Sequence, residues 1–364
     1  DVEKGRGYIG EGVGGGKRNS AAGRPGLAGS SFRTCLPYRL HIVAMFQGSI
    51  IAAPADPEDL HGLRARISHE TAGDYGRFRR SLKPHFGIVK RDIALGYVVL
   101  GLTLIVAGRV EGLGAGLFSA ALGAIVIGYA VAYLQLFIHE AAHFNLAADR
   151  RGNDRLANWL ICWQVGTSID SYRRTHAEHH RSLGEDGDTE VSYRHPLSVR
   201  FMIEMATGIH ALRVFATRKA QKNGKRNGAS ARPLLIGASI HFTLVALLVL
   251  AGAWPAALAW IMGMGSVYPL FATLRQLIEH RPLAGQTRAG AVTRLFGDDI
   301  FSRTFGGAGF NRHLLHHLEP QISYTRFKEF EDYLMQTSAR DALDARRSSY
   351  TRTFADLIRD SRNA

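Results

Sequence analysis

The chain has 364 residues, a formal net charge of +14 and only two cysteines, Cys35 and Cys162. The two cysteines are far apart and have no metal-ligand spacing, which excludes a disulfide framework and a thiolate metal site. The positive charge comes without a nucleic-acid recognition motif, and the basic residues flank long apolar runs. We therefore expect a membrane as the partner of this chain and no nucleic acid.

The N-terminal part of the chain is polar. Residues 1–44 are rich in glycine and basic residues and show neither helical nor strand periodicity, which predicts a disordered tail. Residues 45–92 are predicted to form a polar, partly helical segment that approaches the membrane. The last cations of that segment, Lys83, Lys90 and Arg91, suit a cytoplasmic headgroup surface.

Three long runs without Lys, Arg, Asp or Glu predict membrane-spanning helices, because about 20 apolar residues cross the hydrocarbon core. The last run, 233–274, is too long for one crossing, and Trp254-Pro255 near its middle indicates a turn between two helices. The stretch 156–169 is apolar but too short to cross, so we expect it at the interface or partly re-entrant. The four predicted membrane helices cover approximately residues 93–110, 113–138, 233–252 and 255–278.

Four crossings, arranged as two hairpins, return the chain to the side on which it began. The basic run from Arg218 to Arg232 directly precedes the third helix, as cytoplasmic anchors do. The predicted fold is an all-α integral membrane protein with two hairpins and a cytoplasmic helical cap. Residues 93–320 would form the membrane domain, and residues 321–364 a polar helical C-terminal tail.

Eight histidines fall into three short clusters, HEAAH, HAEHH and HLLHH. Residues three or four positions apart share one face of a helix, so each cluster can direct its imidazoles at one point. His280 follows the fourth membrane helix at the same predicted membrane surface. Nine imidazoles suit two metal ions better than one, and the scarcity of carboxylates within the clusters disfavours calcium, magnesium and manganese. The nine candidate ligands are His139, His143, His176, His179, His180, His280, His313, His316 and His317.

The three clusters, in this order, resemble the HxxxH, HxxHH and HxxHH boxes of the integral-membrane fatty acid desaturase and hydroxylase superfamily. The resemblance covers roughly Ile93 to Glu319, and the stretch NRHLLHHLEP is similar to bacterial acyl-lipid desaturases. It implies a non-haem diiron centre that uses dioxygen to remove hydrogen from an unactivated methylene, with the nine histidines as catalytic iron ligands. It also implies a multi-pass protein of a bacterial inner membrane that desaturates acyl lipids on its cytoplasmic face.

Two details qualify the resemblance. Gln276 stands where relatives have an asparagine that contacts a metal-bound water, and we expect its longer amide to do the same. The HPGG haem motif of fused cytochrome b5 domains is absent, since His195-Pro196-Leu197 does not match it. Electrons are therefore expected from a separate ferredoxin-like, rubredoxin-like or cytochrome b5-like protein that docks on the basic cytoplasmic face.

Carboxylates near the clusters are candidates to hydrogen-bond the ligating imidazoles and to fix their tautomers. Closeness in sequence is the basis of this prediction. The five candidates are Glu140, Glu178, Asp188, Glu279 and Glu319.

Four other functions compete with desaturation. HEAAH also fits the HExxH zinc motif, with Glu140 as the general base of a metalloprotease, but that function leaves six clustered histidines without a role. A metal transporter would place histidines in the membrane core, where the sequence offers only His241. Hydroxylases and carotenoid ketolases share the three boxes, and the sequence does not separate them from desaturases.

Overall fold

The computed structural model describes residues 60–185, 187–223, 230–280 and 293–362, which are mostly helical. The predicted disordered tail and the first part of the predicted approach segment lie outside the described residues. Two short parallel strands, β1 (Leu295–Phe296) and β2 (Arg347–Ser348), pair with each other. The helices are α1 (Leu60–Glu70), α2 (Asp74–Ser81), α3 (Phe86–Gly108), α4 (Leu113–Ala142), α5 (Arg150–Leu160), α6 (Ile169–Arg181), α7 (Val199–Ala206), α8 (Ile209–Asn223), α9 (Arg232–Leu250), α10 (Trp254–Met262), α11 (Tyr268–His280), α12 (Ile300–Phe305), α13 (His313–Leu318), α14 (Phe327–Leu334), α15 (Ala339–Asp344) and α16 (Tyr350–Arg362).

Four helical stretches in the described part of the chain are long and apolar enough to cross a membrane, which confirms the predicted number. They are α3, α4, α9 and the continuous stretch Trp254–His280, in which a π-helical turn, Gly263–Val267, joins α10 to α11. Helix α3 begins at Phe86 rather than near residue 93, since the charged side chains of its first turns can lie at headgroup level. Helix α4 continues beyond residue 138 and includes most of HEAAH.

Helix α4 lies at the centre of the membrane helices and packs against α3, α10 and α11. A Cβ added to Gly128 would lie 2.5 Å from the Cβ of Val267, so glycine permits a close approach of α4 to the π-helical turn. Small residues at such contacts are typical of membrane helices. On the outer faces, large apolar side chains are exposed, as expected where a helix faces lipid: examples are Phe118, Phe242 and Leu250.

The short apolar stretch 156–169 forms the end of α5, a 3-10 turn and the start of α6, and it is hydrogen-bonded to the membrane helices. The Gln164 side chain accepts a hydrogen bond from Gln135 Nε2 of α4 at 2.8 Å. His241 Nε2 of α9 donates to the Gln164 carbonyl at 3.1 Å, and its Nδ1 accepts from Trp260 Nε1 at 3.2 Å. His241 therefore connects the membrane helices to one another and is not part of the histidine clusters.

The C-terminal segment 321–364 was predicted to be a polar helical tail. Its described part, residues 321–362, is mostly helical and packs against the rest of the protein. Its helices α14 and α15 bury Phe330, Leu334 and Leu343 in one apolar cluster with Leu314 and Leu318 of α13. Helix α13, which carries HLLHH, is buried over its whole length. The last histidine cluster is thus held in place by a core that the C-terminal segment completes.

Candidate metal centre

The three histidine clusters and His280 lie on four helices that meet at one place. The first cluster occupies the C-terminal end of α4, where His139 is in the last turn and His143 is the C-cap. The second lies on α6, the third on α13, and His280 is the last residue of α11. All nine predicted ligands are therefore brought together, although their binding of metal stays a prediction.

Arg173 connects the helix of the second cluster to the helix of the first by hydrogen bonds. This residue of α6 donates from Nε to the Ala142 carbonyl at 3.1 Å and from Nη2 to the Ala141 carbonyl at 3.3 Å. These carbonyls belong to the last turn of α4, where backbone acceptors have no partner within the helix and the helix dipole favours a cation. Arg173 also forms an ion pair with Asp154 at 2.5 Å.

One group of five imidazoles draws on all three clusters. Their ligand nitrogens all lie within 4.8 Å of one another. The Nε2 atom of His180 is 3.0 Å from His176 Nε2 and 2.8 Å from His316 Nε2. The members of this five-histidine group are His139, His143, His176, His180 and His316.

The remaining four imidazoles form a second group. The nitrogens of His179, His280 and His317 lie within 4.8 Å of one another. The Nε2 atom of His313 is 2.9 Å from His280 Nε2 and 3.1 Å from His317 Nε2. We call these residues the four-histidine group. A carboxylate oxygen of Glu279 also lies within 4.8 Å of the nitrogens of His280 and His313.

The nitrogen atoms of both groups suit metal ions better than they suit one another. An imidazole Nε2 carries at most one proton, so His180 Nε2 cannot donate to both of its Nε2 neighbours, and the same holds for His313. Both ring nitrogens of His139 and the Nε2 of His143 are buried without a hydrogen-bond partner among the described residues. Buried polar atoms normally have partners. Lone pairs that converge from several helices are the arrangement a bound metal ion requires.

Burial is the largest cause that lowers the pKa of the cluster histidines outside the membrane helices, and neighbouring histidines add to it. At His176 the carboxylate of Glu190 opposes the effect of burial, but the pKa is still lowered. Neutral imidazole is the form that binds metal, so the environment keeps these side chains ready as ligands at neutral pH. The residues with a lowered pKa are His143, His176, His180, His313, His316 and His317.

These pKa shifts predict that the metal-free protein loses stability in acid. As the pH falls below about 6.5, the histidines of the unfolded chain bind protons, whereas the buried histidines of the folded protein stay neutral. Protonation therefore favours the unfolded state. We expect the thermal midpoint of metal-free protein in detergent to fall between about pH 7 and pH 5. A midpoint that stays constant over this interval would contradict the prediction.

Asp188 is the predicted carboxylate that the structure places against a ligand. Its Oδ1 lies 2.7 Å from His179 Nδ1, on the side of the ring away from the other histidines. Tyr193 donates to Asp188 Oδ2 at 2.7 Å and keeps the carboxylate oriented. Hydrogen bonds from these partners lower the pKa of Asp188 although burial opposes them. An ionised carboxylate at Nδ1 directs the Nε2 lone pair of His179 towards the metal position.

A second acid, Glu190, was not among the predicted carboxylates, and it lies near another histidine at a longer distance than Asp188. Its Oε1 is 3.6 Å from His176 Nδ1, and its Oε2 accepts a hydrogen bond from Gln276 Nε2 at 3.3 Å. Between the two acids, Thr189 Oγ1 donates to the Thr175 carbonyl of α6 at 2.8 Å. The pattern Asp-Thr-Glu after HAEHH was the available signal. Gln276, expected to contact a metal-bound water, uses its amide nitrogen to hold Glu190.

We expect Asp188→Asn to weaken metal binding at the four-histidine group. Loss of such an outer partner costs about 10–100-fold in metal affinity. Equilibrium titration of the metal-free protein with Fe(II) measures the change. Glu178→Gln is a matched control, because this acid is also near a cluster but is 41% exposed and pairs with Arg181. Equal affinities for Asp188→Asn and the unaltered protein would rule out this role of Asp188.

Three other predicted carboxylates contact groups other than the imidazoles. Glu178 pairs with Arg181 on the outer face of α6. Glu140 Oε2 accepts from Ser323 Oγ at 2.9 Å and from the Tyr324 amide at 3.4 Å. These hydrogen bonds connect α4 to the segment that follows α13. They do not support a function of Glu140 as the general base of a metalloprotease.

Glu319 is the third of these carboxylates, and it connects the end of α13 to the N-terminal helices α1 and α2. Its buried carboxylate accepts from Tyr75 OH at 2.9 Å and from Arg79 Nη1 at 2.8 Å. Arg64 Nε lies 3.1 Å from the same carboxylate. Glu319 therefore fixes the helix that carries HLLHH instead of orienting an individual imidazole.

An apolar cleft lies between α4, α11, α12 and α16. Leu136, one turn before His139, lines its wall, and Arg275 lines it one turn before Glu279. The Arg275 guanidinium lies 4.4 Å from the centre of the Phe310 ring, which stacks on His313. No sequence pattern indicates this cleft, because its lining residues come from distant parts of the chain. The other lining residues include Tyr129, Tyr133, Phe271, Leu274, Phe305 and Tyr350.

The comparison with known families gives one match. The family model described as "Fatty acid desaturase" matches residues 116–348, which include all three histidine clusters and continue beyond Glu319. No curated protein matches the chain.

Proposed function

Because the chain belongs to the fatty acid desaturase family, we propose that it is an oxygen-dependent acyl-lipid desaturase with two non-haem iron ions. The observation that carries this proposal is the convergence of nine histidines into two groups, to which the ends of two apolar helices, α4 and α11, contribute together with α6 and α13. Five imidazoles would hold one iron, and four would hold the other. Their neutral nitrogen donors suit iron, whereas calcium and magnesium prefer oxygen.

We further propose a topology of two membrane hairpins with the histidines on the cytoplasmic side of a bacterial inner membrane. Cations near one end of the membrane helices support this orientation: Lys90 and Arg91 lie in the first turns of α3, and Arg232 begins α9. The polar helices that surround the clusters would then form the cytoplasmic cap. The same basic surface would receive an electron donor resembling ferredoxin, rubredoxin or cytochrome b5.

The apolar cleft is the proposed position of the acyl chain. Its aromatic and aliphatic walls can bind methylene groups, and one lining residue, Leu136, lies one turn before His139. Close to it, α12 exposes Ile300 and Phe301 by 75% and 54%. Apolar side chains exposed in this way suit contact with lipid, from which an acyl chain could enter.

The nine histidines would hold two iron ions, and iron bound there would supply an oxidant derived from dioxygen, which no side chain can provide. The protein would position the metal ions and the substrate. The histidines hold the metals, Asp188 and Glu190 orient two of the imidazoles, and the cleft walls would present one methylene of the chain. Hydroxylation and ketolation need the same site, so the product decides among the three reactions.

Lipid analysis tests this function. The chain and a His69→Ala control, which alters an exposed histidine outside both groups, would be expressed in a host whose lipids lack the expected double bonds. We expect new unsaturated acyl chains in both, dependent on oxygen and detected by mass spectrometry. Hydroxylated or keto products would replace the desaturase assignment with one of the alternatives, and unchanged lipids despite bound iron would refute the proposed function.

A further inference from the structure

Glu279 is a buried carboxylate beside two members of the four-histidine group, His280 and His313. It is only 1% exposed, and it precedes His280 at the end of α11. One of its oxygens lies within 4.8 Å of ligand nitrogens of both His280 and His313. Asp188 and Glu190 face the Nδ1 atoms of their histidines and so lie behind the rings. Glu279 thus differs from both in its access to the metal position.

Two residues hold the Glu279 side chain in this orientation. Arg275 Nε lies 3.3 Å from its Oε1, and Tyr350 OH donates to the same oxygen at 3.4 Å. Both contacts use Oε1, and a carboxylate has two oxygens, each with more than one lone pair. The arrangement therefore leaves the carboxylate able to accept a metal ion while Arg275 and Tyr350 fix its direction.

The two histidine groups are unequal in number of donors. One offers five imidazoles and the other four. The Gln276 amide nitrogen, one turn before His280, is engaged by Glu190. A carboxylate donor from Glu279 would give both metal positions five protein ligands.

Charge provides a second argument. Neutral imidazoles carry no negative charge, so iron ions held by histidines alone would bring their full positive charge into a buried site. Unpaired buried charge is costly, and a directly bound carboxylate offsets part of it at the shortest possible distance. Oxygen donors also favour the more highly charged, harder ferric ion.

We propose that Glu279 is a tenth metal ligand, which binds the iron of the four-histidine group through a carboxylate oxygen. This inference rests on the proposed function, because it assumes that both groups hold iron. It makes the two iron positions chemically different: one has only nitrogen donors, and the other has mixed nitrogen and oxygen donors.

The test compares the unaltered protein with Glu279→Gln in anaerobic Fe(II) titrations, followed by Mössbauer spectra of the loaded proteins. We expect Glu279→Gln to weaken one of two iron sites by more than the about 10–100-fold typical of an outer partner. The spectrum of that iron should change, and the other should keep its parameters. Tyr350→Phe is the matched control, because it removes a contact of the same carboxylate but leaves the carboxylate itself.

Each outcome has a defined consequence. Two irons with unchanged affinities and spectra in Glu279→Gln would overturn the ligand assignment alone, and so would an equal loss in Tyr350→Phe. Fewer than two irons in the unaltered protein would overturn the diiron function together with this inference. If Glu279→Gln does not fold, as judged from its thermal midpoint without metal, Glu279→Asp decides. That variant keeps a carboxylate, and we expect two irons with one altered spectrum, whereas an unaltered spectrum would overturn the assignment.

Discussion

Replacing His316 with alanine is expected to abolish the lipid product and to remove iron from the five-histidine group. His316 is 1% exposed, and its Nε2 lies 2.8 Å from His180 Nε2. Its ring centre is 3.9 Å from that of His139, so it contacts ligands from both other clusters. Loss of an outer partner alone costs about 10–100-fold in metal affinity, and loss of a direct ligand should cost at least about 100-fold.

Iron content and lipid product should be measured together for this variant. His195→Ala is a suitable control, because His195 is exposed and packs against Phe201 outside both histidine groups. We expect the control to retain two irons per chain and the product. If His316→Ala kept both irons and formed the product at the normal rate, the five-histidine group could not be a catalytic metal site.

Replacing Glu319 with alanine is expected to destabilise the protein although it leaves all nine histidines unaltered. The variant leaves Tyr75, Arg79 and Arg64 without their shared carboxylate. Removal of one partner of a buried ion pair costs about 3–5 kcal/mol, but the arginines are 35% and 40% exposed, and solvent reduces the loss. We therefore expect a loss of about 2–3 kcal/mol in the free energy of unfolding.

Urea unfolding in detergent, followed by limited proteolysis near α1, measures this effect. Glu329→Gln is the control, since Glu329 is 54% exposed and pairs with Arg326 on the surface of α14. Its effect should be within about 0.5 kcal/mol. Equal stability of the Glu319 and Glu329 variants would show that the contact between α13 and the N-terminal helices contributes little.

The sequence predicted that the nine histidines come together, and within each cluster the basis of that prediction is local. It did not predict how the structure divides the second and third clusters between the two groups. Spacings of three and four residues place imidazoles on one helix face before any tertiary contact forms. The apolar runs then predicted that the helix ends meet at one surface, which brought in His280. No such local rule leads to the cleft, because its lining residues come from distant parts of the chain. Glu190 lies only 14 residues after His176, but it is outside the helix that carries HAEHH, so helical spacing does not predict their contact.

Closeness in sequence was a poor guide to the partners of the ligands. Glu140 is adjacent to His139, yet neighbours on a helix point about 100° apart, and the carboxylate contacts Ser323 instead. Glu319 follows HLLHH closely, but α13 ends before it, and the chain turns the side chain towards α2. Periodicity predicts which residues share a face, and it does not predict what lies opposite that face.

The π-helical turn Gly263–Val267 has a consequence for the orientation of the metal ligands. A π-helical turn accommodates one residue more than an α-helical turn, so residues after it are rotated by about 100° relative to an uninterrupted α-helix. Trp260 precedes the turn and contacts His241, whereas His280 follows it and joins the four-histidine group. The extra residue sets the angle between these two faces, so that one helix packs against its neighbours through Trp260 and contributes His280 to the candidate metal centre.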